Sequence, residues 1–345
     1  MRIAFLTSTP RNISAGSGTY VGISTLAGAL RRRDIAVDIL GPSVWLPAYT
    51  LSRRWFNEQL RGRDFSGYDA VVGFDMDGFR LRVPHVASLK GVIADEARHE
   101  TGLTRRLLRV QARWERRNVH GAERVLTTSL YAARRIQQLY SLPERPRVVP
   151  ELIDLDGWRQ LFHSVEGAPD PARFVVLSVA RFYRRKRIDL LLEAARSLED
   201  RIPGFELRIV GDGPEGRRLR ALAPRSAKFL GTVSRRDLAL EYKLCDVFCL
   251  PSVQEGFGIV FLEAMAAGRA IVAASASAVP EVVPHALLAA ADDAGALAQA
   301  LHVAWSDPAL RETIAQAGSE HVRRYDAPVV AAQFLEALGH LVSIP

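Results

Sequence analysis

The sequence is poor in cysteine and contains no long apolar run. Its 345 residues include only two cysteines, Cys245 and Cys249. Two cysteines exclude a disulfide framework and fall short of the four ligands of a structural zinc site. No apolar run reaches the roughly 18 residues that a membrane-spanning helix needs. The first residues, MRIAFLTSTP, are typical of a β-strand and lack the pattern of a signal peptide. We therefore expect a cytoplasmic protein.

Lysine is also scarce, because only four of the 46 basic residues are lysine and the others are arginine. The formal net charge is +8. Two explanations stay open: a bias of composition, or attraction to anions such as phosphates, acidic lipid or nucleic acid. With 48 % hydrophobic and 24 % charged residues, the chain has the composition of a globular protein with large cores.

Short apolar runs alternate with helical periods along the whole chain, whose length fits two domains of about 150 residues each. The predicted strands are residues 3–7, 37–40, 70–73, 85–89, 125–128, 148–149, 174–180, 207–210, 228–230, 247–250 and 270–273. This alternation predicts an α/β protein with two Rossmann-like, doubly wound domains that face each other across a cleft. We place the first domain at 1–165 and the second at 166–325, with a junction in the polar stretch 162–172. A closing helix at 326–345 is expected to pack back toward the first domain.

The stretch GDGPEG at 211–216 matches the G-x-G-x-x-G fingerprint of dinucleotide sites. That fingerprint normally occupies the first strand–helix turn of a domain, with a carboxylate for the ribose about 20 residues later. Here it follows the second predicted strand of the second domain, and the next strand is followed by GTV at 231–233. We therefore interpret GDGP as a tight turn lining a nucleotide cleft. An NAD-dependent oxidoreductase stays as an alternative.

Two further loops of the second half carry charges where predicted strands end. In RFYRRK, Arg181 and Lys186 precede a predicted helix, and two cations beside a helix N-terminus suit a pyrophosphate. In EGFGIVFLE, Glu255 precedes a helix start and Glu263 follows it eight residues later, with glycines that let a backbone approach a ligand. Carboxylates accept hydrogen bonds from the vicinal hydroxyls of a sugar or a ribose. A solvated basic loop and ordinary helix charges are the alternatives.

Together these stretches resemble the family 4 glycosyltransferases, which are retaining enzymes with the GT-B fold. The resemblance is carried in the second half by the E-x7-E spacing of Glu255 and Glu263, by RFYRRK, by GDGP and by SAVPEVV at 277–283. In the first half it is carried by the glycine-rich segment 14–40 and by VLTTS at 125–129. The resemblance covers most of the chain.

The resemblance implies that the second domain binds a nucleoside-diphosphate sugar, UDP- or GDP-linked, and that the first binds the acceptor. The sugar would pass, with retention of configuration, to a hydroxyl of a polysaccharide, glycolipid or small metabolite. Arg181 and Lys186 would neutralise the diphosphate, and Glu255 would hold the donor sugar. Further donor-binding roles fall to Gly16, Gly18, Gly211, Val233, Gly256, Phe257, Gly258 and, at the ribose, Glu263. No metal and no cofactor are expected, because fixed cations and amides would stabilise the leaving diphosphate.

One departure from the family pattern leaves the reaction open. The family often has a histidine near the transferred sugar where this chain has Lys90, so we assign the acceptor and sugar side to Lys90, Asp95 and Glu96. A sugar-nucleotide epimerase of related fold and a nucleotide-sugar-binding protein without transfer activity remain alternatives. Two D-x-D triplets, at 75–77 and 154–156, lack a partner motif that would make either a metal site.

A predicted helix at 103–119 carries a one-sided stripe of arginines, with its apolar residues gathered on another side. The stripe consists of Arg105, Arg106, Arg109, Arg113, Arg116 and Arg117. Such a helix favours peripheral contact with the inner surface of an anionic membrane, or attraction of a lipid-linked or acidic acceptor. A solvated arginine face over an ordinary buried apolar face is the alternative. No nucleic acid is expected as a partner, because no known nucleic-acid module accompanies the stripe.

Overall fold

Strands and helices alternate along the described part of the chain. The computed structural model describes residues 1–10, 18–43 and 48–339. The strands are β1 (Arg2–Leu6), β2 (Ala36–Leu40), β3 (Ala70–Phe74), β4 (Val86–Leu89), β5 (Arg124–Thr127), β6 (Arg147–Val148), β7 (Phe174–Val179), β8 (Phe205–Val210), β9 (Ala227–Gly231), β10 (Val247–Leu250), β11 (Ala270–Ala274) and β12 (Leu287–Ala289). The helices are α1 (Gly18–Arg31), α2 (Tyr49–Leu60), α3 (Ile93–Glu96), α4 (Gly102–Gly121), α5 (Leu130–Tyr140), α6 (Leu155–Ser164), α7 (Ile188–Leu198), α8 (Gly216–Ala221), α9 (Arg235–Leu244), α10 (Ile259–Ala266), α11 (Val279–Val282), α12 (Ala294–Ser306), α13 (Pro308–His321) and α14 (Ala327–Leu338).

The strands form two six-stranded parallel sheets, one in each of two structural units. The first unit comprises Met1–Leu152 and the chain from Ala327 onward, and its strand order is β2-β1-β3-β4-β5-β6. The second unit comprises Ile153–Asp326, and its order is β12-β11-β10-β7-β8-β9. In each sheet the chain winds away in both directions from the first strand of the unit, which makes both units doubly wound. The predicted α/β class is confirmed.

The strands are apolar because helices cover both faces of each sheet. Every residue of β3, β4, β10 and β11 is buried. All eleven strands predicted from the sequence are present. β12 was not predicted, because it has only three residues at the sheet edge and is too short for a strand pattern to stand out.

The boundary between the units lies before α6, whereas the sequence predicted it at 165/166. The α6 side chain Trp158 packs against Tyr242 of α9, with ring centroids 6.0 Å apart, so α6 is part of the second unit. The polar stretch that follows α6 is therefore a loop inside that unit. In contrast, α14 belongs to the first unit, where its Phe334 ring lies 5.9 Å from the Phe5 ring of β1.

The 20-residue helix α4 presents a polar face to the interior. Gln111, Glu115 and Asn118 are buried, whereas Leu103 and Leu107 are 70 % and 39 % exposed. One of the two interpretations of this helix predicted that its apolar face is buried. That prediction is wrong for Leu103 and Leu107. No helix within the described ranges, α4 included, combines the length and apolar character that a membrane crossing requires.

Candidate functional site

The loops that follow β7 and β10 lie side by side at the switch point of the second sheet. β7 pairs with β8 on one side and with β10 on the other, so the connections diverge here and leave a crevice at the carboxyl ends of the strands. Ligands of doubly wound sheets bind in this crevice. The loop after β7 is RFYRRK and the loop after β10 contains EGFG. Strand order thus brings the predicted residues Arg181, Lys186 and Glu255 to one edge of the sheet.

Lys186 and Glu255 form an ion pair at this switch point. Lys186 Nζ lies 2.5 Å from Glu255 Oε1, and the two side chains are only 16 % and 8 % exposed. The two loops are also joined through the backbone, because the Val253 N–H donates to the Arg185 carbonyl at 3.0 Å. In such a sheltered position each charge depends on the other for compensation. The pair offers a cation and a hydrogen-bond acceptor at one point.

Ser277 holds the backbone of Glu255 in place. The Glu255 N–H donates to Ser277 Oγ at 2.8 Å. Ser277 has a left-handed backbone, with φ of 51°, which is an uncommon conformation for a residue other than glycine. SAVPEVV contributes to the family resemblance, but the sequence predicts no role for Ser277. Its part in supporting Glu255 depends on a contact across 22 residues.

The glycines of GDGP pack against the loop that begins at Ala180. Gly211 has φ of 125°, and a Cβ there would lie 1.9 Å from the Ala180 carbonyl oxygen. A Cβ on Gly213 would lie 2.6 Å from the Phe182 nitrogen. The Phe182 N–H also donates to the Asp212 carbonyl at 3.0 Å. These glycines therefore serve loop packing, which explains the match to a dinucleotide fingerprint without a dinucleotide, and they support the loop of Arg181.

The segment 256–258 exposes backbone rather than side chain. Gly258 has φ of 92° and caps the start of α10. The Phe257 side chain is 3 % exposed and packs edge-on against Tyr325, with ring centroids 5.3 Å apart. Of the predicted donor-binding residues Gly256, Phe257 and Gly258, Phe257 can therefore contact a ligand only through its backbone.

Glu263 lies on α10 and accepts a hydrogen bond from the Tyr242 hydroxyl at 3.0 Å. Burial raises the pKa of the Glu263 carboxyl to about 7, and the hydrogen bond from Tyr242 and the charge of Arg235 oppose that rise. Tyr242 and Arg235 both belong to α9, and the predicted Val233 lies just before that helix. Tyr242 was not predicted as a site residue, because nothing in the sequence links it to a carboxylate 21 residues away.

The first unit holds the predicted acceptor-side lysine in its interior. Lys90 Nζ lies 3.0 Å from Glu151 Oε2, and the side chains are 5 % and 4 % exposed. The Glu151 carboxylate in turn packs against Gly22 of α1, where a Cβ would lie 2.4 Å from Oε2. Lys90 is thus already engaged, and Glu151 was not predicted. Gly18 is the first residue of α1, and Gly16 lies outside the described residues.

The aspartates of the 75–77 triplet have structural partners. Asp77 accepts hydrogen bonds from the Ser8 hydroxyl at 2.7 Å and the Asn57 amide at 2.8 Å. Asp75 accepts the Lys90 N–H at 2.8 Å, and burial raises its pKa to about 6. In the other triplet, Asp154 caps α6 by accepting the Gly157 N–H. Among the described residues no group of three or more His, Cys, Asp or Glu side chains is arranged to hold a metal ion; the expectation that no metal is required stays a prediction.

Asp95 and Glu96, the other predicted acceptor-side residues, lie on α3. Asp95 is 2 % exposed and accepts hydrogen bonds from Arg135 Nε at 2.9 Å and the Tyr131 hydroxyl at 2.6 Å. Its carboxylate thus ties α3 to α5. Glu96 lies beside Gly91, where a Cβ would be 2.8 Å from Glu96 Oε1. The structure therefore does not bring Asp95 together with Lys90 Nζ.

The segment that contains the switch-point residues matches a known family. Residues 162–321 fit the family described as "Glycosyl transferases group 1". The match covers less than half of the chain, and this segment is similar to group 1 glycosyl transferases. The segment contains Arg181, Lys186, Glu255 and Glu263, so the resemblance inferred from E-x7-E and RFYRRK is confirmed.

Two curated relatives of this chain are named as mannosyltransferases. A phosphatidyl-myo-inositol mannosyltransferase of Mycobacterium tuberculosis is 36 % identical over 199 residues, which are 54 % of this chain and 52 % of the relative. A GDP-mannose-dependent alpha-(1-6)-phosphatidylinositol monomannoside mannosyltransferase of the same organism is 31 % identical over 225 residues, 58 % of this chain and 56 % of the relative. The match therefore spans about half the length of these curated relatives.

A solved structure resembles this chain over its whole length. Sucrose-phosphate synthase from Thermosynechococcus elongatus aligns with a TM-score of 0.84 and 22 % identity, covering 100 % of both chains. At this identity the likeness concerns the fold. It confirms the predicted GT-B architecture with two doubly wound domains.

Proposed function

We propose that the chain is a retaining glycosyltransferase that moves a sugar from a nucleoside-diphosphate sugar, UDP- or GDP-linked, to an acceptor hydroxyl. The observation that supports this most is the Lys186–Glu255 pair, a sheltered cation and carboxylate at the switch point of the group 1 glycosyl transferase segment. A diphosphate requires cations, and a sugar requires hydrogen-bond acceptors. The name of the second mycobacterial relative, which specifies GDP-mannose, supports a nucleotide-linked donor.

Leaving-group stabilisation is the role that we assign to Arg181 and Lys186. As the bond from the sugar to the diphosphate breaks, negative charge builds on the diphosphate, and fixed cations stabilise it without reorganisation. In this proposal Lys186 exchanges Glu255 for a phosphate oxygen when the donor binds. Glu255 then accepts hydrogen bonds from the donor sugar, and no metal is required. Glu255 is not proposed as a covalent nucleophile, which in retaining hydrolases stands about 5 Å from a second carboxyl group.

The remaining donor contacts are proposed as follows. Glu263, oriented by Tyr242, accepts hydrogen bonds from the ribose hydroxyls. The exposed backbone around Gly256 and Gly258 contacts the sugar and the phosphates. The Val233 loop contacts the base through its backbone, which is why side-chain identity there does not select the base.

We propose a glycolipid-type acceptor bound by the first unit. Both mycobacterial relatives are named for phosphatidylinositol lipids. In this chain α4 exposes Leu103 and Leu107 beside its arginine stripe, an arrangement typical of helices that lie on anionic membranes. Peripheral contact with a cytoplasmic membrane surface is therefore part of the proposal.

Transfer can be tested with the full chain, GDP-mannose or a UDP-sugar, and acceptor lipid in vesicles, with and without EDTA. We expect release of the nucleoside diphosphate, a glycosylated lipid whose anomeric configuration matches the donor by NMR, and no effect of EDTA. An inverted product would contradict retention. A donor converted to its epimer would favour an epimerase, and tight donor binding without turnover would favour a binding protein.

Two substitutions test the switch-point pair. Glu255→Gln and Lys186→Met should each lower the transfer rate by about a hundredfold or more, because each removes a charge that acts on the leaving group or the sugar. Lys228→Met is a matched control, since Lys228 also pairs with a glutamate of the second unit, at 2.9 Å from Glu206 near the start of β8. Wild-type rates in Glu255→Gln or Lys186→Met would remove the assigned role.

A further inference from the structure

A groove on the first unit is lined by four arginines. It lies between α4 and the segment 94–98 and has a volume of about 500 Å³. Arg98, Arg105, Arg109 and Arg113 line it, and the other lining residues are small alanines. Three of these arginines belong to the stripe predicted from the sequence, whereas Arg98 comes from the loop before α4. The groove therefore gathers charge from two segments of the chain.

The groove arginines differ from other arginines of the protein in their acidic partners. Elsewhere in the protein arginines pair with acidic side chains, as Arg2 does with Asp38 and Arg208 with Glu206 and Glu241. Among the residues that the structure describes, none of the four groove arginines has a carboxylate within ion-pair distance. The positive potential of the groove is therefore available to an external anion.

Two acidic side chains near the groove have partners inside the unit. Asp95 is held by Arg135 and Tyr131 of α5. Glu115 lies on the buried face of α4 and accepts hydrogen bonds from the Ile93 N–H and the Tyr140 hydroxyl. These two carboxylates are therefore engaged inside the unit and do not pair with the groove arginines.

Arg105 is fixed in position by the loop that forms the other wall. Its Nε donates to the Ala97 carbonyl at 3.2 Å, and its Nη2 donates to the Arg98 carbonyl at 3.4 Å. These contacts hold the guanidinium and the loop together at the start of the groove. A guanidinium held in this way loses less side-chain entropy when it binds a ligand.

We propose that this groove is a binding site for a phosphate ester. Guanidinium groups match phosphate oxygens in geometry and charge, and several of them around a small groove can surround one phosphate. Leu103, one turn before Leu107, leaves apolar surface exposed on the same helix. Arginines beside exposed leucines are the environment that the phosphate of a lipid headgroup would require. A soluble phosphorylated molecule carries the same phosphate group. The inference gives the membrane contact of the proposed function a specific subsite, and it concerns binding alone.

Two probes distinguish the sources of the phosphate. The full chain is titrated with glycerol 3-phosphate by calorimetry, and it is sedimented with vesicles of phosphatidylcholine, with or without phosphatidylglycerol. The test variant is Arg98→Ala/Arg109→Ala/Arg113→Ala, whose three side chains are exposed, so that folding should be retained and can be verified by melting temperature. The control is Arg116→Ala/Arg117→Ala on the same helix, outside the groove lining.

We expect the triple variant to lose binding by about tenfold or more and the control to change it by about twofold or less. A selective loss with both probes supports a lipid headgroup as the ligand, and a selective loss with glycerol 3-phosphate alone supports a soluble phosphate ester. The proposal is overturned if wild type binds neither probe. The proposal is also overturned if the triple variant and the control lose affinity in proportion to the number of arginines removed, because the loss would then not depend on the groove. Binding of this kind without any glycosyl transfer would contradict the proposed function and leave the subsite standing.

Discussion

Lys90 Nζ lies 3.0 Å from Glu151 Oε2 in the interior of the first unit, where neither side chain is more than 5 % exposed. Lys90 follows β4 and Glu151 lies just after β6, so the pair joins two strand ends that are 61 residues apart. Burial raises the pKa of Glu151, and the charge of Lys90 opposes that rise. The lysine that stands where the family often has a histidine is thus part of a buried ion pair.

Removing one partner of this pair should be costly. Glu151→Ala leaves the Lys90 ammonium buried without compensation, and we expect the free energy of unfolding to fall by about 3 to 5 kcal/mol. Urea unfolding of the purified variant measures this. The double variant Lys90→Met/Glu151→Leu replaces both charges with apolar groups and should recover much of the loss. A cost below about 1 kcal/mol for Glu151→Ala would mean that the ammonium finds water or another partner.

Glu263 should make stability depend on pH near neutrality. Its pKa is about 7 in the folded chain and about 4.3 in an unfolded chain. Because the pKa of Glu263 is raised in the folded chain, its contribution to the free energy of unfolding is fully present below the unfolded pKa. That contribution is lost as pH rises through the folded pKa of about 7. Glu263→Gln stays neutral, so its melting temperature should rise relative to wild type between about pH 5 and about pH 8. A constant difference over that interval would show that Glu263 ionises normally.

The same group should tune nucleotide affinity. An ionised carboxylate accepts hydrogen bonds from ribose hydroxyls better than a protonated one. We therefore expect wild type to bind GDP or UDP more tightly as pH rises from about 6 to about 8. Glu263→Gln is the control, because any change in its affinity over this range comes from protonation of the nucleotide and not of residue 263. The increase in wild type should exceed that change. Calorimetry measures both chains. Tyr242→Phe removes the hydrogen bond that lowers the pKa of Glu263, so its affinity transition should move to higher pH.

Ser277 offers a pair of substitutions that separate backbone strain from hydrogen bonding. Ser277→Ala keeps the strain of a positive φ and loses the acceptor for the Glu255 N–H, so it should cost about 1 to 2 kcal/mol of unfolding free energy. Ser277→Gly relieves the strain and should stay within about 1 kcal/mol of wild type. Both should lower transfer, because both free the Glu255 backbone. Full activity in both variants would show that Ser277 does not position Glu255.

Gly213 should not tolerate a side chain, although its backbone φ is not positive. Gly213→Ala places a methyl group against the Phe182 backbone, and we expect a loss of about 1 to 3 kcal/mol together with weaker nucleoside-diphosphate binding through the shifted Arg181 loop. Gly62→Ala is the control, since a Cβ there meets nothing within 4 Å. If both variants melt like wild type, the two loops are less tightly packed than the structure indicates.

The sequence alone was sufficient for the elements and for part of the site. Strands such as β3 and β10 are short apolar runs between turns, and such runs follow directly from burial on both faces. The sequence predicted Glu255 ahead of a helix start and Glu263 inside that helix; α10 begins at Ile259, after Glu255, and contains Glu263. These inferences succeeded because side-chain periodicity is local.

Only the tertiary structure decided which residues meet. Lys186 and Glu255 are 69 residues apart in the sequence, and they meet because β10 pairs with β7. No local sequence pattern encodes which strands pair. Ser277, Tyr242 and Glu151 were missed because each acts through one distant partner. The polar side of α4 faces inward since Glu115 finds donors on α3 and α5. The sequence determined the periodicity of that helix, whereas the groups packed against it determined which face is buried, because burial of a polar group depends on the partners it meets.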